Sequence, residues 1–151
     1  MLQYPDEPVT LAEDYMGIKV NFCVYCEDIL TSQQTGAHSI FKFAGCYNIP
    51  NKEEPYSFCV AFSHFGFKYD VSHALTWEFI NPDGNIIKKC DSPMIFQVIK
   101  QNEPPVAWGV IRINDVLFNK EGEYITRFYV DGEKLNDAPI YVYINRSDYT
   151  S

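Results

Sequence analysis

Basic residues are scarce in this chain. Twelve Lys and Arg stand against twenty Asp and Glu over 151 residues, a net charge of −8. That balance speaks against direct nucleic-acid binding, which depends on neutralising phosphates. Long apolar runs are missing, none approaching the ~20 residues that a membrane helix needs. The opening stretch, MLQYPDEPVTLAEDY, has neither a basic nor an apolar segment, so it does not read as a signal peptide. No segment sustains a 3.6-residue apolar repeat with capping residues, which excludes a helical fold. There is no phosphate-binding glycine loop, dinucleotide fingerprint, serine elbow or H-E-x-x-H, so none of those chemistries is indicated. The cysteines are odd in number: Cys23, Cys26, Cys46, Cys59 and Cys90 sit in apolar stretches and read as reduced, mostly buried thiols. These absences predict a soluble, cytoplasmic protein with no membrane contact and no cofactor.

Aromatic residues are what the chain has in quantity: 11 Tyr, 11 Phe and 2 Trp. They fall in extended segments. Residues 18–30 and 39–49 read as strands, the second ended by Pro50. From Tyr56 to Phe62 large and small residues alternate at period two, the mark of a strand with one buried face. Leu75, Trp77 and Phe79 alternate with Thr76 and Glu78, which are expected to face water. Asn81-Pro-Asp-Gly-Asn85 then makes a tight turn, because Pro presets φ and Gly accepts positive φ. Residues 86–89 and 94–99 read as one strand broken at Pro93. Residues 106–118 form a long strand whose alternation slips near Gly109, suggesting a bulge. Asp131-Gly132 is the strongest hairpin signal, pairing Val130 with Glu133 and Phe128 with Leu135. Pro139 enters the last strand and favours an edge or a bulge.

About eight strands at this spacing predict an all-β, antiparallel sandwich. The expected organisation is an acidic arm over residues 1–17, a sandwich domain over 18–146 and a tail over 147–151. Asp6, Glu7, Glu13 and Asp14 give the arm half of the net charge, and it reads as a loose solvated segment.

Gly122-Glu-Tyr124, preceded by Leu117 and followed by a strand ending in Asp-Gly, resembles the tyrosine corner of immunoglobulin-like sandwiches. The resemblance implies that architecture and a hydroxyl bonded back to the backbone. It does not extend to the disulfide, since Thr126 stands where antibody domains have a cysteine. A second resemblance covers most of residues 18–144. Val24-Tyr-Cys-Glu-Asp28, Ser39-Ile40, Gly45-Cys-Tyr47, Asn81-Pro-Asp-Gly84, Gly122-Glu-Tyr124, Val130-Asp-Gly132 and Pro139-Ile-Tyr-Val142 follow in an order similar to a group of uncharacterised small bacterial or phage β-sandwich proteins. It implies a stand-alone domain and no particular activity.

The candidate chemical sites are thin. Cys23-Val-Tyr-Cys26 lacks the second pair of a zinc ribbon and the helix of a redox motif, and on a strand its thiols diverge. Glu27 and Asp28 are adjacent on a strand, so they do not converge as an acid–base pair. His38, His64 and His73 with Asp70 show no ligand spacing, so no metal site is expected. An enzyme would need His64, His73, Asp70 or Glu27 gathered in one polar pocket.

The informative feature is the outer half of the last two strands. If Tyr124, Phe128 and Val130 point inward, Ile125, Arg127 and Tyr129 point outward. If Ile140, Val142 and Ile144 point inward, Tyr141 and Tyr143 join them. Tyr and Arg are enriched at interface centres, so Ile125, Arg127, Tyr129, Tyr141 and Tyr143 are the predicted binding residues of a non-enzymatic module. The expected partner is another protein or a second copy of the chain. The alternative function is an acidic inhibitor that occludes a nucleic-acid-binding protein, motivated by the arm and the Glu53-Glu54 loop.

Overall fold

Alternation of buried and exposed side chains builds ten strands and, among the described residues, no helix. The computed structural model describes residues 17–99 and 106–146, so the expected arm (apart from Gly17) and the tail lie outside the described residues. In chain order the strands are β1 (Lys19–Thr31), β2 (His38–Ala44), β3 (Cys46–Ile49), β4 (Tyr56–Phe65), β5 (Ser72–Ile80), β6 (Ile86–Lys89), β7 (Met94–Gln97), β8 (Val106–Val116), β9 (Gly122–Val130) and β10 (Glu133–Ile144). A four-stranded sheet, in the order β2-β1-β4-β8, faces a sheet ordered β3-β10-β9-β5-β6, with β7 also on β5. The chain is an all-β, immunoglobulin-like sandwich.

Two breaks account for ten strands where the sequence suggests about eight. The expected strand over 39–49 divides at Gly45: β2 stays with β1, and β3 crosses to the other sheet, where it pairs with β10. That contact is parallel, while the other strand pairs are antiparallel. The expected break at Pro93 separates β6 from β7, and both lie along β5, opposite the side taken by β9. Pro139 keeps its ladder to Ile125 of β9, whereas β3 joins β10 only from Tyr141 onward. The edge position is thus local, and the missing N–H costs nothing there.

Two register expectations need correction. Val130 pairs with Glu133 as the Asp-Gly turn requires, but a bulge after Lys134 brings Asn136, not Leu135, opposite Phe128. Asp131 and Gly132 both have positive φ (52° and 84°), and the Asp131 carboxylate is occupied by the Ala74 N–H at 2.9 Å and His73 Nδ1 at 2.8 Å. On β8 the ladder runs unbroken past Gly109, and the shift comes at residues 114–115, where Asp115 has φ 56°. Gly109 has a different reason: a Cβ there would stand 2.9 Å from Cζ of Phe62. The absent side chain makes room for a core ring.

The interior is aromatic. Phe58, Phe79, Phe118, Tyr124 and Phe128 are almost fully buried, with ring centroids 5.0–6.1 Å apart along the chain of contacts Phe58–Phe79, Phe79–Tyr124 and Phe118–Tyr124 or across Phe79–Phe118. The Tyr124 hydroxyl donates to the Lys120 carbonyl at 2.7 Å, which completes the tyrosine corner. Tyr124→Phe removes one partly buried bond and leaves that carbonyl short of a donor. It is expected to cost about 1 kcal/mol and to lower Tm by roughly 2–4 °C in scanning calorimetry. An unchanged Tm would show that the hydroxyl does not hold the corner.

Candidate functional site

Sheet register puts the five predicted binding residues on the outer face of the larger sheet. Glu78 of β5, Arg127 of β9 and Asp137 of β10 align in one row; Thr76, Tyr129 and Lys134 form the next; Ile80, Ile125 and Pro139 a third. The polar ends of Glu78, Arg127, Tyr129, Lys134 and Asp137 are committed within this face. Arg127 makes a two-pronged contact with Asp137, Nε to Oδ1 at 2.8 Å and Nη2 to Oδ2 at 3.1 Å. Lys134 reaches the same carboxylate at 3.1 Å. The Arg127 guanidinium, and Lys134 beyond it, hold Asp137 below the usual carboxylate range. Tyr129 donates to Glu78 at 2.6 Å, and that carboxylate raises the phenol above its ordinary value.

Tyr141 and Tyr143 stand two residues apart on β10 with ring centroids at 4.8 Å, and the Arg146 guanidinium lies 5.0 Å from the Tyr143 ring. Of the five, Tyr141 is exposed, at 44%, and the other four are half-buried. This face is therefore a self-satisfied polar network with a small aromatic corner.

A second surface was not legible as a site. β2 and β8 are opposite edges of the smaller sheet, nominally three strand spacings or about 14 Å apart. Yet His38 of β2 and Trp108 of β8 approach to 4.1 Å between ring centroids. The β1–β2 hairpin must therefore bend away and lie across the outer face of its own sheet. Asp28 anchors it, accepting from Arg112 of β8 at 2.6 Å, and Ile29 packs on the buried Cys26, Cys59 and Ala61. Arg112 holds Asp28 below its usual range.

Beneath the hairpin runs an apolar groove of about 300 Å³, lined in part by Phe22, Ile40, Ala61, Ser63, Trp108 and Val110. The small residues of β4 are covered here: Cys59, Ala61 and Ser63 are 1–4% exposed. Above the groove the hairpin turns apolar groups outward. Leu30 is 55% exposed, Phe41 43% and Phe43 73%.

The remaining candidates do not assemble into a catalytic or metal centre among the described residues, where no group of three potential ligands occurs. His64, fully buried on β4, bonds Asn136 through Nε2 at 3.1 Å, while His73 bonds Asp131 and Asp70 is exposed. Glu27 is exposed and pairs with Lys42 at 3.5 Å. Cys23 packs toward the core and Cys26 toward the outer cluster, the divergence expected of that spacing.

Burial holds the His64 imidazole below its ordinary pKa, which has a thermodynamic consequence. The unfolded chain takes up a proton near pH 6.5 that the folded chain refuses, so the unfolded state binds more protons just below that pH. Stability is thus expected to fall as pH drops from about 7 toward the depressed folded pKa. Tm measured at the two ends of that window should fall more in the wild type than in His64→Gln. Equal slopes would contradict it.

A family of unknown function (DUF6941) matches residues 21–143. The chain belongs to that family. No curated protein matches it. Among solved structures it is similar to an immunoglobulin-like protein from Pseudomonas aeruginosa, at 12% identity and TM-score 0.40 over 83% of this chain and 95% of that one. It is similar to the C-terminal domain of wzt, at 11% identity and TM-score 0.46 over 87% and 75%. It also resembles part of the alkylpurine DNA glycosylase AlkC from Pseudomonas fluorescens, at 10% identity and TM-score 0.47 over 89% of this chain. There it spans a third of the other protein's length, 33%. Membership of this family brings no established activity to the chain.

Proposed function

We propose that this protein is a non-enzymatic association module whose docking element is the β1–β2 hairpin, and that its partner is a second copy of the same chain. One observation carries the reading: Leu30, Ile40, Phe41 and Phe43 stand 43–73% exposed on a hairpin that forms the free edge of its sheet. With Phe22 and Trp108 beside it, 42% and 54% exposed, the apolar surface is on the order of 500 Å². A stable interface buries about 800 Å² per partner, so this patch plus a polar rim is sufficient.

The charges within the hairpin support self-association. Glu27 is paired with Lys42 and Asp28 with Arg112, so the chain's net −8 is not concentrated at the contact. Lys42, with φ 52°, distorts β2, a device that guards edges against open-ended strand addition. A closed two-fold contact through side chains is what the hairpin then offers.

The outer face carrying Ile125, Arg127, Tyr129, Tyr141 and Tyr143 supports the reading less well, because Arg127 and Tyr129 already have partners on it. Light scattering across a dilution series tests the proposal. The mass should rise with concentration from 17.5 kDa to twice that value; a mass that stays at the monomer value throughout would overturn it.

A further inference from the structure

We propose that Cys26 and Cys59 form a redox-responsive thiol pair that closes to an intrachain disulfide at the root of the β1–β2 hairpin. β1 and β4 are antiparallel, and their register sets Cys26 directly opposite Cys59. Opposed residues of such a pair have Cα atoms about 4.5–5.5 Å apart, within the roughly 4.4–6.8 Å that disulfides span. Both side chains point the same way, into the small cluster with Ala61 on the outer face.

No other cysteine is so placed. Cys23 packs toward the core, Cys46 is on β3 opposite Tyr141, and Cys90 follows β6 and bonds through its N–H to Trp77 of β5. A second observation points to chemistry at the pair. Arg112 Nη1 lies 3.3 Å from Cys59 Sγ, where its charge favours the thiolate, although burial raises the thiol overall. Burial pushes Cys26 up to about 11. The contact with Arg112 makes Cys59 the first nucleophile in the proposed exchange and leaves Cys26 as the resolving thiol.

The co-reactant is a low-molecular-weight disulfide, RSSR, which reaches Cys59 when the β1–β2 hairpin opens locally from the sheet, since Cys59 is 1% and Cys26 0% exposed with the hairpin closed. The Cys59 thiolate attacks one of its sulfurs, forming a Cys59–S–SR mixed disulfide and releasing RS⁻, which takes up the proton that Cys59 lost. Cys26, giving up its own proton, then attacks Cys59 Sγ and expels the second RS⁻, which leaves as RSH. Two protein thiols are oxidised by two electrons and RSSR is reduced to two RSH, so the exchange balances. The new bond joins β1 to β4 at the point where β1 departs to pair with β2, and so fixes the base of the hairpin.

The test is incubation of the reduced full chain with oxidised glutathione, alkylation of the remaining thiols, and peptide mapping without reductant. Two of the five thiols should be lost, with one cross-linked peptide pair joining Cys26 to Cys59 and no glutathione retained. In Cys26→Ala, glutathione should instead remain on Cys59. Retention of all five thiols in the wild type, a link through Cys23, Cys46 or Cys90, or a link between chains would overturn the proposal. The wild-type map decides the matter even where an alanine variant fails to fold.

Discussion

Phe128→Ala is expected to destabilise the protein by about 3–5 kcal/mol, the range for removing a fully buried ring that the surroundings cannot refill. Phe128 is 0% exposed. It lies on β9 between Trp77 of β5 and Asn136 of β10, and it meets Phe62 of the opposite sheet at 5.1 Å and His64 at 5.5 Å between centroids. A cavity there opens where the two sheets touch, and neither can close it without shifting its ladder. Against a total stability of roughly 5–15 kcal/mol, such a loss takes the variant near or past its threshold. Urea unfolding monitored by tryptophan fluorescence measures it. A loss below about 1 kcal/mol would mean that the sheets are not joined through this ring.

The second large effect concerns association. Phe41→Ser with Phe43→Ser removes the two most prominent rings of the hairpin and touches nothing in the main core. Central aromatic anchors contribute about 2 kcal/mol or more to an interface, so the dimer Kd should rise at least thirtyfold, roughly. Folding stability should hardly change, since exposed substitutions usually stay within about 0.5 kcal/mol. The loss should be insensitive to salt, because the lost contact is apolar. Sedimentation equilibrium at low and high salt gives both numbers. A Kd that weakens with salt in the wild type would instead favour charge-driven binding of the kind an acidic inhibitor uses.

What could be read from the sequence divides by range. Tyr124, the Asp131-Gly132 turn and the divergence of Cys23 from Cys26 are local, and turn chemistry or period-two geometry settled them. The outward placement of Ile125, Arg127, Tyr129, Tyr141 and Tyr143 followed from the same alternation. What alternation does not carry is the identity of the neighbour in space. Asp137 and Glu78 engage Arg127 and Tyr129 from adjacent strands, and nothing in the spacing announces those pairings. Gly109 suggested a bulge, when its cause is the ring of Phe62 on the next strand.

The hairpin was harder still. Its bend across the sheet is set by contacts of His38 with Trp108 and of Asp28 with Arg112, separated by 70 and 84 positions in the chain (108 − 38 and 112 − 28). The available hint was β4 itself. A row of small residues such as Cys59, Ala61 and Ser63 on a central strand is what a strand needs when another element lies over it.

Sedimentation velocity on three chains puts the hairpin to the most direct test: the wild type, the Phe41→Ser and Phe43→Ser double variant, and a triple variant with Tyr129, Tyr141 and Tyr143 each changed to Ser. Provided that all three melt cooperatively, the wild type and the tyrosine variant should sediment as dimers that dissociate on dilution, and the phenylalanine variant as a monomer. A wild type that is monomeric at every concentration, or a dimer lost with the tyrosines and kept without the phenylalanines, would contradict the assignment of the hairpin as the docking element.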